Sequence, residues 1–253
     1  MKIKGDKTMG KLTGKTALVT GGGSGIGHEV VRLFAAEGAS VGIIDLNGDK
    51  AAAIADEVGT SGGAKTATAV ADVSDESAVN AAIGSITDKL GDIEILVNCA
   101  GIDTTCPLHK MPTEMWDTMI AVHMRGTFLT TRAVLPAMKK NKWGRIILFS
   151  SQLAHKGAPA MVHYCAAKAG IMGFTRALAY EVGAEGITVN CVNPGPIDTP
   201  LLRAIPQDWL DMKLGELPIK RFGRTEEVAP TVLLLASEAV SYTHLTLPTK
   251  VLV

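Results

Sequence analysis

The chain is poor in aromatic rings, carries no surplus charge of either sign and lacks paired cysteines, and each shortage removes a class of function. Aromatic residues make up 4% of the 253, and 25 Lys and Arg balance 25 Asp and Glu to a formal net charge of zero. No basic block and no interleaved aromatic stripe is present, so nucleic-acid binding lacks its electrostatic footprint. The four cysteines, Cys99, Cys106, Cys165 and Cys191, show no Cys-x-x-Cys spacing and have no histidine cluster beside them. Neither a metal site nor a disulfide framework is expected, and the thiols are read as reduced and buried. No charge-free apolar run reaches the ~18 residues of a spanning helix. Met1 to Gly10 is polar and basic without an apolar core, unlike a signal peptide, and is read as a flexible extension. The expectation is a soluble, cytoplasmic protein with no membrane partner.

What is present is aliphatic. Hydrophobic residues reach 47%, so burial must rest on Ala, Val, Ile and Leu, as in parallel strands covered on both faces. Strand-like and helix-like stretches alternate, which predicts an α/β fold: a three-layer, doubly wound parallel sheet with helices on both faces. Strands are expected near 16–19, 40–45, 66–71, 93–98, 145–149 and 186–191, and helices over about 26–37, 49–58, 76–90, 112–139, 161–182 and 226–236. The glycine-rich stretch 59–63 is read as a break and 102–107 as a segment over the mouth of a site. An amphipathic lid containing Trp209 and Met212 is expected over 201–214. A chain of this length fits one such domain, over 11–240.

Two stretches carry chemistry. The first is Lys15-Thr-Ala-Leu-Val-Thr20-Gly21-Gly22-Gly23-Ser24-Gly25-Ile26-Gly27, a short apolar strand running into a glycine turn and a helix. Glycines let the backbone approach a pyrophosphate, whose charge the free N–H groups of a helix start can meet. Eighteen residues on, the strand Ser40 to Asp45 ends in a carboxylate suited to ribose hydroxyls, and Leu46 and Asn47 offer no cation for a 2′-phosphate. The second stretch runs from Ser151 to Lys168. Tyr164 and Lys168 are four apart, hence stacked on one helix face. A nearby cation favours the phenolate and draws the phenol from ~10 toward the range of a general acid and base. Ser151 follows an apolar strand and could hold a substrate oxygen. A lone Tyr-x-x-x-Lys often arises by chance, and the glycine loop is the company that gives it weight.

With both stretches in hand, the chain resembles the short-chain dehydrogenase/reductase family, in its single-domain branch, from about Leu12 to Ser241. The resemblance implies a Rossmann-type dehydrogenase domain and a nicotinamide cofactor bound by Thr20, Gly21, Ser24, Gly25, Ile26, Gly27, Asp45 and Leu46. It adds Asp72 and Val73 at the adenine, then Asn98, Ala100 and Gly101, and it places Pro194, Gly195, Ile197 and Thr199 at the nicotinamide. Ser151, Tyr164 and Lys168 are its catalytic trio, and the last two also touch the cofactor. His123 stands where many relatives have an asparagine that holds a relay water, so it is either a relay member or a hydrogen-bonded core histidine. Cys99 replaces a second asparagine, with a modest loss of rigidity expected. Asp45 favours NAD over NADP, and no metal is required.

The implied reaction is reversible hydride transfer between NAD(H) and a secondary alcohol or ketone. The body of the chain looks most like the branch of 3-oxoacyl-carrier-protein reductases, whose features sugar, polyol and cyclic-alcohol dehydrogenases share. The 161–182 helix is apolar on nearly all sides, which with the family's habits suggests a homodimer or homotetramer. Residues 241–253 lack the family's Thr-Gly turn and Asp-Gly-Gly end and are read as an atypical, foreign tail, although Val251-Leu-Val253 could add a short strand. Two other classes stay open. A dinucleotide-binding regulator would bind NADH without turnover, and a structural scaffold would not bind it.

Overall fold

The computed structural model describes residues 10–205 and 207–240. The expectations for residues 1–9 and for the 241–253 tail lie outside the described residues. Six strands, β1 (Thr16–Thr20), β2 (Ser40–Asp45), β3 (Thr66–Val70), β4 (Ile95–Asn98), β5 (Gly144–Phe149) and β6 (Ile187–Val192), form one sheet in the order β3-β2-β1-β4-β5-β6. Every pairing is parallel. Strand order reverses between β1 and β4, and a crevice opens at such a switch point beyond the strands' carboxyl ends.

Side-chain alternation along each strand explains the three layers. Ala17 and Val19 of β1, Ile43 of β2 and Ile147 and Phe149 of β5 face one way, into a core shared with α1 (Gly25–Ala36), α2 (Gly48–Gly62) and α10 (Ala229–Ala236). Leu18, Ile44, Ile146 and Leu148 face the other way, toward α3 (Glu76–Leu90), α5 (Gly126–Asn141) and α7 (Val162–Val182). Phe34 fills the first layer and Ile86 the second, both fully buried. The doubly wound sheet expected from the alternation is therefore present.

Three elements depart from their expected bounds. Helix α2 runs through the stretch read as a break and stops only at Gly63, which takes the left-handed φ of 66° and donates its N–H to Gly59 O. Glycine lowers helix propensity without preventing helix, and a helix ends where glycine turns left-handed. The single helix expected over 112–139 is α4 (Thr113–Ile120) and α5 joined by a π-helical turn, Ala121–Arg125, which widens the ladder by one residue at His123. The lid is two pieces, α8 (Pro200–Arg203) and α9 (Gln207–Glu216). A short turn, α6 (Leu153–Lys156), precedes α7.

On α7 the buried positions Tyr164, Ala167, Lys168, Ile171, Thr175, Leu178 and Val182 form one stripe, so the sheet takes a single face of this apolar helix. Gly170 lets Met124 come close, with its Sδ 2.8 Å from where a Cβ would stand, while at Gly173 no other element of the described residues lies within 4 Å of that point.

Candidate active site

The glycine turn sits at the carboxyl end of β1, against the switch point. Gly21 has a φ of 66°, and a Cβ there would meet the Ala100 backbone at 2.8 Å. A Cβ on Gly27 would lie 2.2 Å from Gly21 O, so the turn folds back on the helix it starts. Ser24 occupies the N-cap of α1 without a side-chain capping bond, and the first turn holds no acidic residue. First-turn N–H groups left in this way suit an anion.

From this turn a groove of about 430 Å³ runs past Ser24, Gly25, Ile26 and Gly27 to Asp45, Leu46, Asp72 and Val73. Asp45 accepts from the backbone N–H of Gly23 and of Asn47, both at 2.9 Å, which fixes its carboxylate at the groove's far end. The Asp72 carboxylate is fixed by Ser74, through its N–H at 2.8 Å and its hydroxyl at 2.7 Å. An extended dinucleotide fits these features: an anion at the helix start and hydroxyls at the carboxylate. Thr20 and Asn98 do not line the groove. They lie beneath its floor, where Asn98 Oδ1 accepts from the Thr20 hydroxyl at 3.3 Å and from the Thr130 hydroxyl at 3.0 Å. Thr20 Oγ1 in turn accepts from the Ala100 N–H at 3.3 Å. Both residues brace the floor, and Asn98 supplies the bridge expected to suffer from Cys99.

The groove continues, past Gly101, Phe149 and Thr199, into a second cavity of about 150 Å³. Ser151, Tyr164, Lys168 and His123 line it, with Pro194, Gly195 and Ile197 on one wall and Ile205, Trp209 and Lys213 of the lid above. Ser151 stands just past β5, and its hydroxyl accepts from the Leu153 N–H at 3.1 Å. Thr199 caps α8 by accepting from the Leu202 N–H at 3.3 Å.

The proton chemistry differs from the expectation. Lys168 is buried, donates from Nζ to Phe149 O at 2.8 Å, and lies 5.5 Å from the centre of the Tyr164 ring. Burial pushes its pKa down to about 8. Burial pushes the Tyr164 phenol upward, Asp103 adds to the rise, and the Ser151 hydroxyl opposes it. Desolvation of the buried phenolate sets the direction of this shift.

His123 is buried and held edge-on to Tyr164, with ring centres 5.6 Å apart. Its Nε2 lies 2.8 Å from Ile102 O and 3.2 Å from Ile102 N, while Nδ1 is buried with no partner among the described residues. The shorter contact assigns the proton to Nε2, donating to the carbonyl. Burial first, and the charge of Lys168 second, hold this imidazole well below its ordinary pKa, hence neutral. The ring anchors the backbone after Gly101 to the π-turn, and a Cβ on Gly101 would strike it at 2.6 Å.

Sequence reasoning missed Asp103 and His163. Asp103 lines the second cavity, and its Oδ1 is buried without a hydrogen-bond donor among the described residues. Burial raises its pKa to about 6 against the pull of Lys168 and of the Thr104 N–H. His163 is fully buried beside Tyr164, with Nε2 2.9 Å from the Thr104 hydroxyl. The signal was slight: 102–107 was expected at the mouth, but nothing marked its acid as buried.

Among the described residues no group of three or more His, Cys, Asp or Glu is placed to hold a metal, and no helix is long and apolar enough to cross a membrane. A family model described as short chain dehydrogenase matches residues 15–209. A 3-oxoacyl-(acyl-carrier-protein) reductase of Chlamydia trachomatis is 38% identical over 233 residues, 92% of this chain and 94% of that protein. A 2-dehydro-3-deoxy-L-rhamnonate dehydrogenase (NAD(+)) of a Sphingomonas species is 37% identical over 92% of each. The crystal structure of a levodione reductase superposes with a TM-score of 0.86 at 32% identity, covering 92% of this chain and 94% of that one.

Proposed function

Because the chain belongs to the short-chain dehydrogenase family, we propose that it moves a hydride between NAD(H) and a secondary alcohol or its ketone, with Tyr164 as general acid and base. The observation that carries this reading is the junction of the two cavities: a groove suited to a dinucleotide opens, at Gly101, onto a pocket lined by Tyr164, Ser151 and Lys168. The cofactor, when bound, supplies or accepts the hydride. Tyr164 gives its proton to the ketone oxygen in reduction and takes it back in oxidation. Its raised pKa keeps the phenol protonated at neutral pH, the form that reduction needs. Ser151 steadies the substrate oxygen by hydrogen bonding, and the buried Lys168 ammonium favours the phenolate whenever it forms. Nδ1 of His123 is the acceptor that would hold a relay water, and its Nε2 is already spent on positioning Ile102.

Asp45 supports NAD over NADP, because a carboxylate anchored by two backbone donors repels a 2′-phosphate. The NAD(+) in the name of the rhamnonate-type relative agrees. The relatives leave two substrate classes in view, 3-oxoacyl thioesters and sugar-derived or cyclic alcohols. We also propose a homodimer or homotetramer built on the outward faces of α5 and α7, where Phe128 and Val162 stand exposed.

Fluorescence titration with NADH and NADPH, followed by a panel of 3-oxoacyl thioesters, cyclic ketones and polyols, tests the reading. Tighter NADH binding with turnover is expected. Tighter NADPH binding would overturn the role of Asp45, and NADH binding without turnover would identify a dinucleotide-binding regulator.

A further inference from the structure

The lid holds a buried cation that the hydride-transfer chemistry does not use. Lys213 of α9 lines the substrate cavity, and its side chain is 9% exposed. Lysine is seldom buried, because an ammonium taken out of water must recover its hydration elsewhere. Its Nζ lies 5.0 Å from the centre of the Trp209 ring, which lines the same cavity, so the charged end and not only the stem stands at that wall. Among the described residues its one hydrogen-bond acceptor is Glu216 Oε2, at 3.1 Å. That oxygen is shared with Lys156 of α6 at 3.0 Å, and the half-exposed Glu216 lies outside the lining of the cavity. An ammonium has three donors, of which Glu216 takes one. We propose that Lys213 is a specificity-determining residue that binds a carboxylate of the substrate, so that the substrate is an oxo acid, or the matching hydroxy acid, with its acid group away from the reacting carbon.

Position and charge narrow the class. Tyr164 and Lys168 belong to α7 and Ser151 to the end of β5, whereas Lys213 belongs to the lid. The reacting carbon and the acid group therefore meet different walls of the cavity. The charged groups of the lining are Lys168, Lys213 and Asp103, since burial holds His123 neutral. Asp103 keeps Oδ1 buried and already accepts from the Thr104 N–H. Two cations against this one carboxylate leave a positive surplus at neutral pH, and the rim pair Lys156 and Glu216 does not alter it. Such a cleft draws in an anion and disfavours a cation. Glu216 displays the contact itself, a carboxylate at hydrogen-bond length from Nζ. Lys156 gives Glu216 a second cation, so sharing Lys213 with a substrate does not leave it unpaired.

This inference rests on the reading of the cavity as the substrate site, and the test separates the two. 4-Oxocyclohexanecarboxylate and its carboxamide differ in charge at nearly constant shape, and 6-oxoheptanoate with its amide is the open-chain pair. Their reduction by NADH is compared for wild type, Lys213→Met, Lys213→Arg and Lys156→Met, and binding of each acid and amide to the NADH complexes is measured by saturation-transfer NMR. Wild type is expected to favour the acid of at least one pair in kcat/KM by about ten- to a hundredfold, the scale of one hydrogen bond to a charged group. Lys213→Met, similar in length and apolar, should abolish the preference chiefly through KM, with the amide little affected. Lys213→Arg should keep part of it, and Lys156→Met most of it. An acid-to-amide ratio near one in wild type, or one unchanged by Lys213→Met, would overturn the inference and leave hydride transfer standing. Equal losses in Lys156→Met and Lys213→Met would assign the preference to a diffuse field and overturn the direct contact. Acid binding that depends on Lys213, without turnover, would uphold the inference while the hydride-transfer reading fails. No difference in binding between acid and amide, without turnover, would overturn both.

Discussion

Tyr164 and Asp103 share one cavity, and the charge on one shifts the proton affinity of the other. Asp103 carries a second consequence, for stability. Its ordinary pKa of 3.8 rises to about 6 on folding. Between these values the unfolded chain has released the proton and the folded chain still holds it, so stability falls as pH rises through the window. The penalty is absent below about pH 4 and complete above about pH 6, where it amounts to roughly 3 kcal/mol. Asp103→Asn should therefore be more stable than wild type at neutral pH by up to about that amount, with the difference vanishing in acid. Denaturant melts across pH measure it; a gain independent of pH would contradict the assignment. The same variant should move the alkaline rise of alcohol oxidation to lower pH, since it removes a charge that holds the phenol up. The other groups set around that phenol, Lys168, Cys165, His123 and His163, are unchanged in it. An unmoved profile would remove Asp103 from the electrostatics of Tyr164. Tyr164, Lys168 and Ser151 were legible in the sequence because their spacing is local to one strand end and one helix. The direction of the phenol's pKa was not, because burial is set by residues distant in the chain.

The glycine turn and the π-turn differ in how the sequence announces them. Gly21 and Gly27 occupy positions where a Cβ would meet backbone, at 2.8 Å and 2.2 Å, so their spacing reports a geometry directly. Gly27→Ala should cost about 1–3 kcal/mol or more and most of the affinity for NADH, read by thermal melts and fluorescence titration. Retained NADH affinity would dissociate the turn from the cofactor. The π-turn at Ala121–Arg125 leaves no such mark, because one inserted residue hardly alters the apolar period of a long helix. Its tertiary partner is the backbone of Ile102, which His123 contacts. Helix α2 shows the opposite failing, where glycines that read as a break are absorbed until one of them turns left-handed at Gly63.

Across the whole molecule, alternation along the strands divides the core into two layers, and the strand order sets the switch point where both cavities lie. The doubly wound parallel sheet followed from sequence pattern; the strand order did not, because pairing joins strands distant in the chain. What covers the outward stripe of α7 did not, because a single chain cannot show its neighbour. Gly173 is open within the chain, so Gly173→Arg should cost an isolated subunit little but break an assembly packed on this face. Sedimentation equilibrium should give two or four times the 26.5 kDa of one chain for wild type and a smaller multiple for the variant. A wild type of 26.5 kDa would contradict the assembly.

The account as a whole turns on hydride transfer at Tyr164, and one measurement addresses it directly. NADH carrying deuterium at the transferable position is mixed with a cyclic ketone, and the alcohol formed is weighed by mass spectrometry for wild type and for Tyr164→Phe. The account predicts one deuterium on the carbinol carbon with wild type, and no product from Tyr164→Phe although it still binds NADH. Deuterated alcohol formed equally well by Tyr164→Phe would contradict it.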